Sequence, residues 1–186
     1  MLTYIATYFN RMRGKEKSSQ RKSITEILWS GLGAFIAIYF ITLFTDSLEI
    51  DSIDGFFLVG SFGASAVLIY GAPQLDFSQP RNFLGGHVIS TFIGVLVYQN
   101  LDLSLASLSA IAVSLSIVAM HLTRTMHPPG GATALIAIIG SQQVHELGFS
   151  LILSPILSGS LLMLFIALII NNLSKDENRH YPKYWI

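Results

Sequence analysis

Cysteine is absent from the 186 residues, which excludes disulfide frameworks and thiolate metal sites. Charge is scarce too: Asp, Glu, Lys and Arg make up 12% of the chain, against about 25% in a soluble globular domain. Eleven basic and eleven acidic residues cancel to a formal charge of +0, so the cationic field of a nucleic-acid binder is missing and no nucleic-acid partner is expected. No carboxylate lies within a long apolar run, since every Asp and Glu maps to a loop, a tail or the edge of a run. What the chain has in excess is hydrocarbon. Hydrophobic residues form 52% of it and the mean hydropathy is +0.58. This composition describes one integral membrane domain whose main solvent is the lipid bilayer.

Five apolar runs, 27–45, 55–72, 83–99, 103–122 and 147–171, reach the ~17–25 residues that cross hydrocarbon as a helix. A further run, 128–140, has 13 residues and at ~1.5 Å per residue would cover about 20 Å of a roughly 30 Å core. It is expected to be a short or half-inserted fifth span. Arg11, Arg13, Lys15, Lys17, Arg21 and Lys22 precede the first span, and cationic flanks stay cytoplasmic. Six crossings then gather Arg81, Arg124, Lys175, Arg179 and Lys183 on that same side, leaving the opposite loops only acids, from Asp46 to Glu146. The expected organisation is a basic cytoplasmic segment over 1–25, a membrane domain over 26–172 and a cytoplasmic tail over 173–186. Residues 1–25 do not read as a signal peptide, because the basic cluster follows the apolar stretch. Leu2, Ile5, Phe9 and Met12 have the spacing of one helical face, which suits a short helix on the inner leaflet as well as a solvated tail.

An internal repeat is visible at an offset of 68: Gly63-Ala64-Ser65-Ala66-Val67-Leu68 matches Gly131-Ala132-Thr133-Ala134-Leu135-Ile136. Each block lies in the middle span of a group of three, and an odd group inverts the second copy in the bilayer. The expected fold is therefore all-α and polytopic, six membrane helices as two inverted three-helix repeats, with helices two and five short or interrupted. Two small-residue faces, Gly86-Ser90-Gly94 in span three and Ala106-Ala110-Ser114 in span four, suit close helix packing. Homo-oligomerisation is left open.

Polar chemistry concentrates in His121-Leu-Thr123-Arg124-Thr125-Met-His127-Pro128-Pro129-Gly130-Gly131-Ala132-Thr133. Two prolines fit the first turn of a helix and not its interior. The N–H groups of Gly130, Gly131 and Ala132 would then point back toward the loop as an anion site at a helix N-terminus, with Arg124 and His127 beside it. Gly60, Ser61, Gly63 and Ser65 offer a counterpart in span two, so two opposed termini would meet near the midplane. A second constellation, Gln79-Pro80-Arg81-Asn82 followed by Gly85-Gly86-His87, puts an arginine at the membrane edge and a histidine two turns inside. An ionisable group at that depth is a functional candidate, whereas an edge arginine alone would only mark topology. A rival reading makes His87, His121 and His127 metal ligands. The six-residue spacing of His121 and His127 does not place both on one helical face, and no embedded carboxylate is at hand to join them.

Taken together, LTRTMHPPGGATAL, FGASAV from Phe62, QPRN from Gln79, GGH from Gly85 and RHYPKYW from Arg179 resemble the HPP family of integral membrane proteins, over nearly all the chain after its basic start. Descriptions of that family count four spans, against six from the charge map. The resemblance implies transport of a small monovalent anion, nitrite first, as associated with cyanobacterial and plastid members, and hence a bacterial plasma membrane with both termini cytoplasmic.

The functional expectation is a transporter or channel for a small inorganic anion, with no catalysis, cofactor or metal. Gly130, Gly131 and Thr133 with Gly63 and Ser65 would give donors, Arg81 and Arg124 would draw the anion to the inner mouth, and His87 and His127 would orient it or carry a proton. A membrane metalloenzyme and a non-transporting scaffold or sensor are the alternatives. The orientation has a direct check, because the background is free of cysteine. A cysteine at Ser52 should react with an impermeant thiol reagent added outside and one at Ser18 should not; outside labelling at position 18 overturns the assignment.

Overall fold

The computed structural model describes residues 2–14 and 16–186, so Lys15 of the basic cluster lies outside the described residues. Among them the chain is helical, without strands: α1 (Leu2–Arg11), α2 (Ile24–Asp46), α3 (Ser52–Gly71), α4 (Pro80–Asn100), α5 (Leu105–Thr123), α6 (Gly130–Ile139), α7 (Gln142–Leu147) and α8 (Ser158–Asn172). Local chemistry sets the starts. Ser23, Asp51, Ser104 and Ser141 accept backbone N–H bonds at the heads of α2, α3, α5 and α7, and Pro80 opens α4 where a missing N–H is not needed. Ile5 and Phe9 of α1, and Met12 just after it, all stand exposed; the side chain of Leu2 is outside the described residues.

Four helical segments are long and apolar enough to cross a membrane: Ile24–Asp46, Ser52–Gly71, Leu105–Thr123 and Ile152–Asn172. α4 has 21 residues, about 31 Å at the usual rise, but carries Arg81, Asn82, His87, Ser90 and Thr91. It tolerates them because protein surrounds it: α4 packs on α5, α6 and α8. α6 has 10 residues and is the short apolar helix expected at span five. α3 differs from expectation. Its glycines do not interrupt it, and it runs unbroken over 20 residues, since a glycine costs a helix only about 1 kcal/mol and neighbours restore that. The last span is the one in two parts. An irregular helical turn, Ile152–Leu157, holds Ser154 at non-helical angles before Pro155, and α8 starts beyond it.

Two cores result. Ile41, Phe62, Ile69, Tyr70, Met163 and Ile170 join α2, α3 and α8, while Val97, Leu108, Ala112, Ala134 and Ile138 join α4, α5 and α6. Outward, Leu28, Phe35, Phe56, Val67, Leu122 and Phe165 present hydrocarbon on every long apolar helix, far more than a water-facing monomer displays. Gly94 is a packing residue as expected: a Cβ there would stand 2.6 Å from the Ala134 carbonyl. The α5 face Ala106-Ala110-Ser114 is exposed instead, because Leu108, Ala112, Ser116 and Met120 are the side that α5 buries.

The residues after α8, expected as a cytoplasmic tail, fold back across the bundle. Arg179 is fully buried, pairs with Glu26 Oε2 at 3.3 Å, and donates to Tyr70 O at 2.9 Å and Asn171 Oδ1 at 3.0 Å. It ties the head of α2 to the ends of α3 and α8. Tyr181 donates its hydroxyl to Ser78 O at 2.8 Å, and burial raises that hydroxyl well above its ordinary range, so it stays a donor. Removing Arg179 would leave Glu26 without its partner. Arg179→Ala should cost about 3–5 kcal/mol of stability, read as a lower melting temperature in detergent, and Arg179→Ala/Glu26→Leu should recover part of it.

Candidate functional site

The structure sorts the candidate residues into two places. The first is a cradle built by α4. Arg124 ends α5 in the left-handed region, φ 57°, turning the chain back into the bundle as a short non-helical segment, Thr125–His127, followed by a turn at the two prolines that leads into α6. Arg81 donates to Thr123 O at 3.0 Å and Asn82 to Met126 O at 3.0 Å, so the head of α4 holds the incoming carbonyls. One turn further, Gly85 and Gly86 let the segment in: Cβ atoms there would stand 2.5 Å from Thr125 Cγ2 and from His127 Cβ. Gly130 continues the contact, its missing Cβ 2.8 Å from Gly86 O.

At the bottom of the cradle lies a buried polar cluster. His127 and His87 are fully buried, their ring centres 5.0 Å apart. Ser65 Oγ lies 2.9 Å from Nε2 of each ring. His127 Nδ1 is 2.7 Å from Phe77 O, and His87 Nδ1 is 2.7 Å from Thr133 Oγ1. Ser61 Oγ closes the line, 3.0 Å from Thr133 Oγ1 and 3.2 Å from Pro129 O. α3 and α6 meet antiparallel here, since Asp54 at the other end of α3 accepts from Ser141 N at 2.9 Å. Ser65 and Thr133, the matched positions of the repeat, thus flank His87 on its two nitrogens.

The second place is the mouth. Arg81 and Arg124 line one cavity of about 360 Å³ with Asp76, Asn82, His121 and Tyr184. Tyr184 donates to Asn82 Oδ1 at 3.4 Å; burial and the Asp76 carboxylate hold its hydroxyl above the ordinary range, against Arg81, so it remains protonated. A neighbouring cavity of about 400 Å³ shares Met120, His121 and Met126 with the mouth and reaches Phe77, Pro128 and Gly131.

The expected helix-terminus site differs in its donors. Gly130 N, Gly131 N and Ala132 N close tight turns onto His127, Pro128 and Pro129 carbonyls at 2.9, 3.0 and 3.1 Å, so the donors expected to be free are used. Unbroken α3 has no terminus to oppose them. Gly63 stands apart from the cluster, half-buried, with nothing within 4 Å of its would-be Cβ. The three histidines are not all brought together. His121 lines the mouth while every ring nitrogen of the other two has a partner, and among the described residues no three His, Cys, Asp or Glu come together. Phe77 O, Asp76 and Tyr184 were not legible as site members, for backbone carbonyls and distant tails carry no sequence mark.

The description "HPP, transmembrane region" matches residues 19–182. The chain belongs to the HPP family. Two transmembrane proteins of Dictyostelium discoideum are similar to it, one 45% identical over 187 residues and the other 42% identical over 189, each alignment taking in 98% of this chain. The chain spans about three-fifths of the length of these curated relatives, 58% and 64%. No solved structure matches it. In this HPP chain the His-Pro-Pro tripeptide is the floor of the cradle: the histidine enters the cluster, and the prolines bring no N–H that would need a partner inside the bundle.

The glycine contacts make distinct expectations. Gly130→Val and Gly94→Val overpack a backbone contact and should each cost about 1–3 kcal/mol, seen as a lower melting temperature. Gly131→Ala meets only Val113 at 3.8 Å and should leave it unchanged. A Gly130→Val protein that melts like the parent would refute the close approach.

Proposed function

We propose that the chain is a membrane transporter or channel for a small inorganic anion. The observation that carries this reading is the mouth, where Arg81 from α4 and Arg124 from the α5 end line one cavity with Asn82, His121 and Tyr184. Two guanidiniums offer forks suited to planar oxyanions, and the Asn82 amide keeps a second hydrogen beyond the one given to Met126 O; the Tyr184 hydrogen is spent on Asn82, and the Asp76 carboxylate shares the lining. Nitrite is the substrate to test first, on the strength of the family resemblance. The anion is placed at this mouth and not at helix termini.

The charge map supports six crossings with both ends cytoplasmic. In this reading α4 is the third crossing, and the segment from Thr125 together with α6 makes the fifth. The inverted repeat draws support from the antiparallel meeting of α3 and α6 and from Ser65 and Thr133 on one imidazole. Relatives in an amoeba lend no weight to a bacterial plasma membrane, so the reading is confined to sidedness.

Nitrite uptake into proteoliposomes tests the function, with nitrate, formate and chloride as competitors. Arg124→Ala should raise the half-saturating concentration about tenfold, the loss of roughly 1.4 kcal/mol of charge-assisted hydrogen bonding. Arg124→Lys, which keeps charge but not the fork, should fall between. Equal uptake by both variants and the parent moves the site elsewhere; no flux with any anion favours a scaffold or sensor.

A further inference from the structure

The interior holds ionisable groups that the anion mouth does not use. Their hydrogens are assigned by the network. A carbonyl only accepts, so the contact to Phe77 O puts a hydrogen on His127 Nδ1. In the neutral ring Nε2 is then an acceptor, and Ser65 donates to it. With that hydrogen used, the contact between Ser65 and His87 is filled by His87 Nε2–H. His87 Nδ1 therefore accepts from the Thr133 hydroxyl, and the Ser61 hydroxyl lies between Thr133 Oγ1 and Pro129 O. From Thr133 to the Phe77 carbonyl every hydrogen points the same way.

Such a line accepts one more proton without moving a heavy atom. A proton on His87 Nδ1 turns the Thr133 hydroxyl onto Pro129 O, 3.4 Å away, and the ring now donates from both nitrogens. His87 Nε2 then gives its proton to Ser65 Oγ as Ser65 gives its own to His127 Nε2. One N–H and one O–H bond break, one O–H and one N–H bond form, and the positive charge passes from one imidazole to the other. Afterwards His127 donates to Ser65 and Phe77 O, while His87 keeps Nδ1–H on Thr133. Phe83 lies 5.3 Å from His87 and 5.2 Å from His127, and Phe62 lies 5.4 Å from His87, inside the ~6 Å at which an aromatic ring attracts a cation. The other titratable groups on the surrounding elements are engaged elsewhere. Asp54 holds Ser141, Tyr70 donates to Met163 O, Tyr98 stacks on His145, and Asp76, Arg81, His121 and Arg124 line the mouth, His121 also lining the cavity beside it. Phe77 itself lines the cavity beside the mouth, which brings the His127 end within one residue of an opening.

We propose that the Ser65-bridged pair of His87 and His127 is a proton site, taking one excess proton and shuttling it through the Ser65 hydroxyl, and that anion movement is coupled to it. The coupling rests on the transport reading; the proton site does not. Histidine ¹⁵N NMR of the full chain in lipid nanodiscs tests the site. At neutral pH His127 should carry Nδ1–H and His87 Nε2–H; on acidification both rings should shift in step and take up one proton between them. Ser65→Ala should uncouple the two shifts, and Ser65→Thr, which keeps the hydroxyl, should retain them in step. Opposite tautomers, independent titration in the parent, or an unchanged pattern in Ser65→Ala overturns the proposal.

Coupling is read as initial nitrite uptake above protein-free vesicles after an acid-outside step. One pH unit should accelerate it up to about tenfold if one proton moves per turnover, and Ser65→Ala should lose the acceleration. Uptake that ignores the step overturns coupling and leaves the anion reading standing. Shared protonation without uptake of any anion overturns the anion reading and leaves the proton site.

Discussion

Two backbones that nearly touch govern this structure. A non-helical segment inside a bilayer protein exposes carbonyls and amides that lipid cannot satisfy, at several kcal/mol each. The chain from Thr125 to Pro129 survives there because the first turns of α4 lack the atoms that would hold it off. Gly85, Gly86 and Gly130 remove the obstructing carbons, and the same turns supply Arg81 and Asn82 for the incoming carbonyls. Two prolines reduce the number of amides to be satisfied. Lipid gives helices little hydrophobic reason to associate, so close dispersion contact of this kind must hold them. The polar cluster, the short α6 and the position of the mouth all follow from the segment being where it is.

Once the segment is in place, polar side chains far from water become tolerable. The cluster has no unpartnered nitrogen or oxygen; the buried orphans, Glu26 Oε1, Thr45 Oγ1, Ser116 Oγ and Arg179 Nε, all lie elsewhere. A complete network in a medium of low dielectric is stiff. It fixes α3, α4 and α6 against one another, and it does so with three hydroxyls and two imidazoles whose hydrogens remain free to change places.

Much of the fold was readable from composition. Apolar runs located α2, α3, α4 and α5 within a few residues, and the length of the 128–140 run foretold a short α6. Misreadings came from residues whose meaning depends on a neighbour. Gly60 and Gly63 read as interruptions, yet α3 is continuous, since small residues in a membrane helix mark contact or open space as readily as a break. Gly130 and Gly131 read as free donors, but the turn after two prolines closes on itself. Of the polar candidates, Ser65, His87, His127 and Thr133 were named as parts of an anion site and lie together in the cluster. Their partners, the Phe77 carbonyl above all, follow only from three-dimensional packing. The tail was placed on the cytoplasmic side through Lys175, Arg179 and Lys183; nothing local says that the Arg179 guanidinium has a carboxylate waiting 153 positions earlier.

That separation bears on how the protein is made. Glu26 opens α2, and its partner is synthesised 153 residues later. At ~5–20 residues per second of translation, the carboxylate waits about 8–30 s before its guanidinium exists. During that interval the first helix is inserted but not yet latched, free to slide or tilt while later helices find their neighbours. Arrival of Arg179 then joins the starts and ends of three helices in one step, so the contact that fixes the head of α2 forms only after α8 has been made, and an earlier misplacement of α2 is open to correction until then.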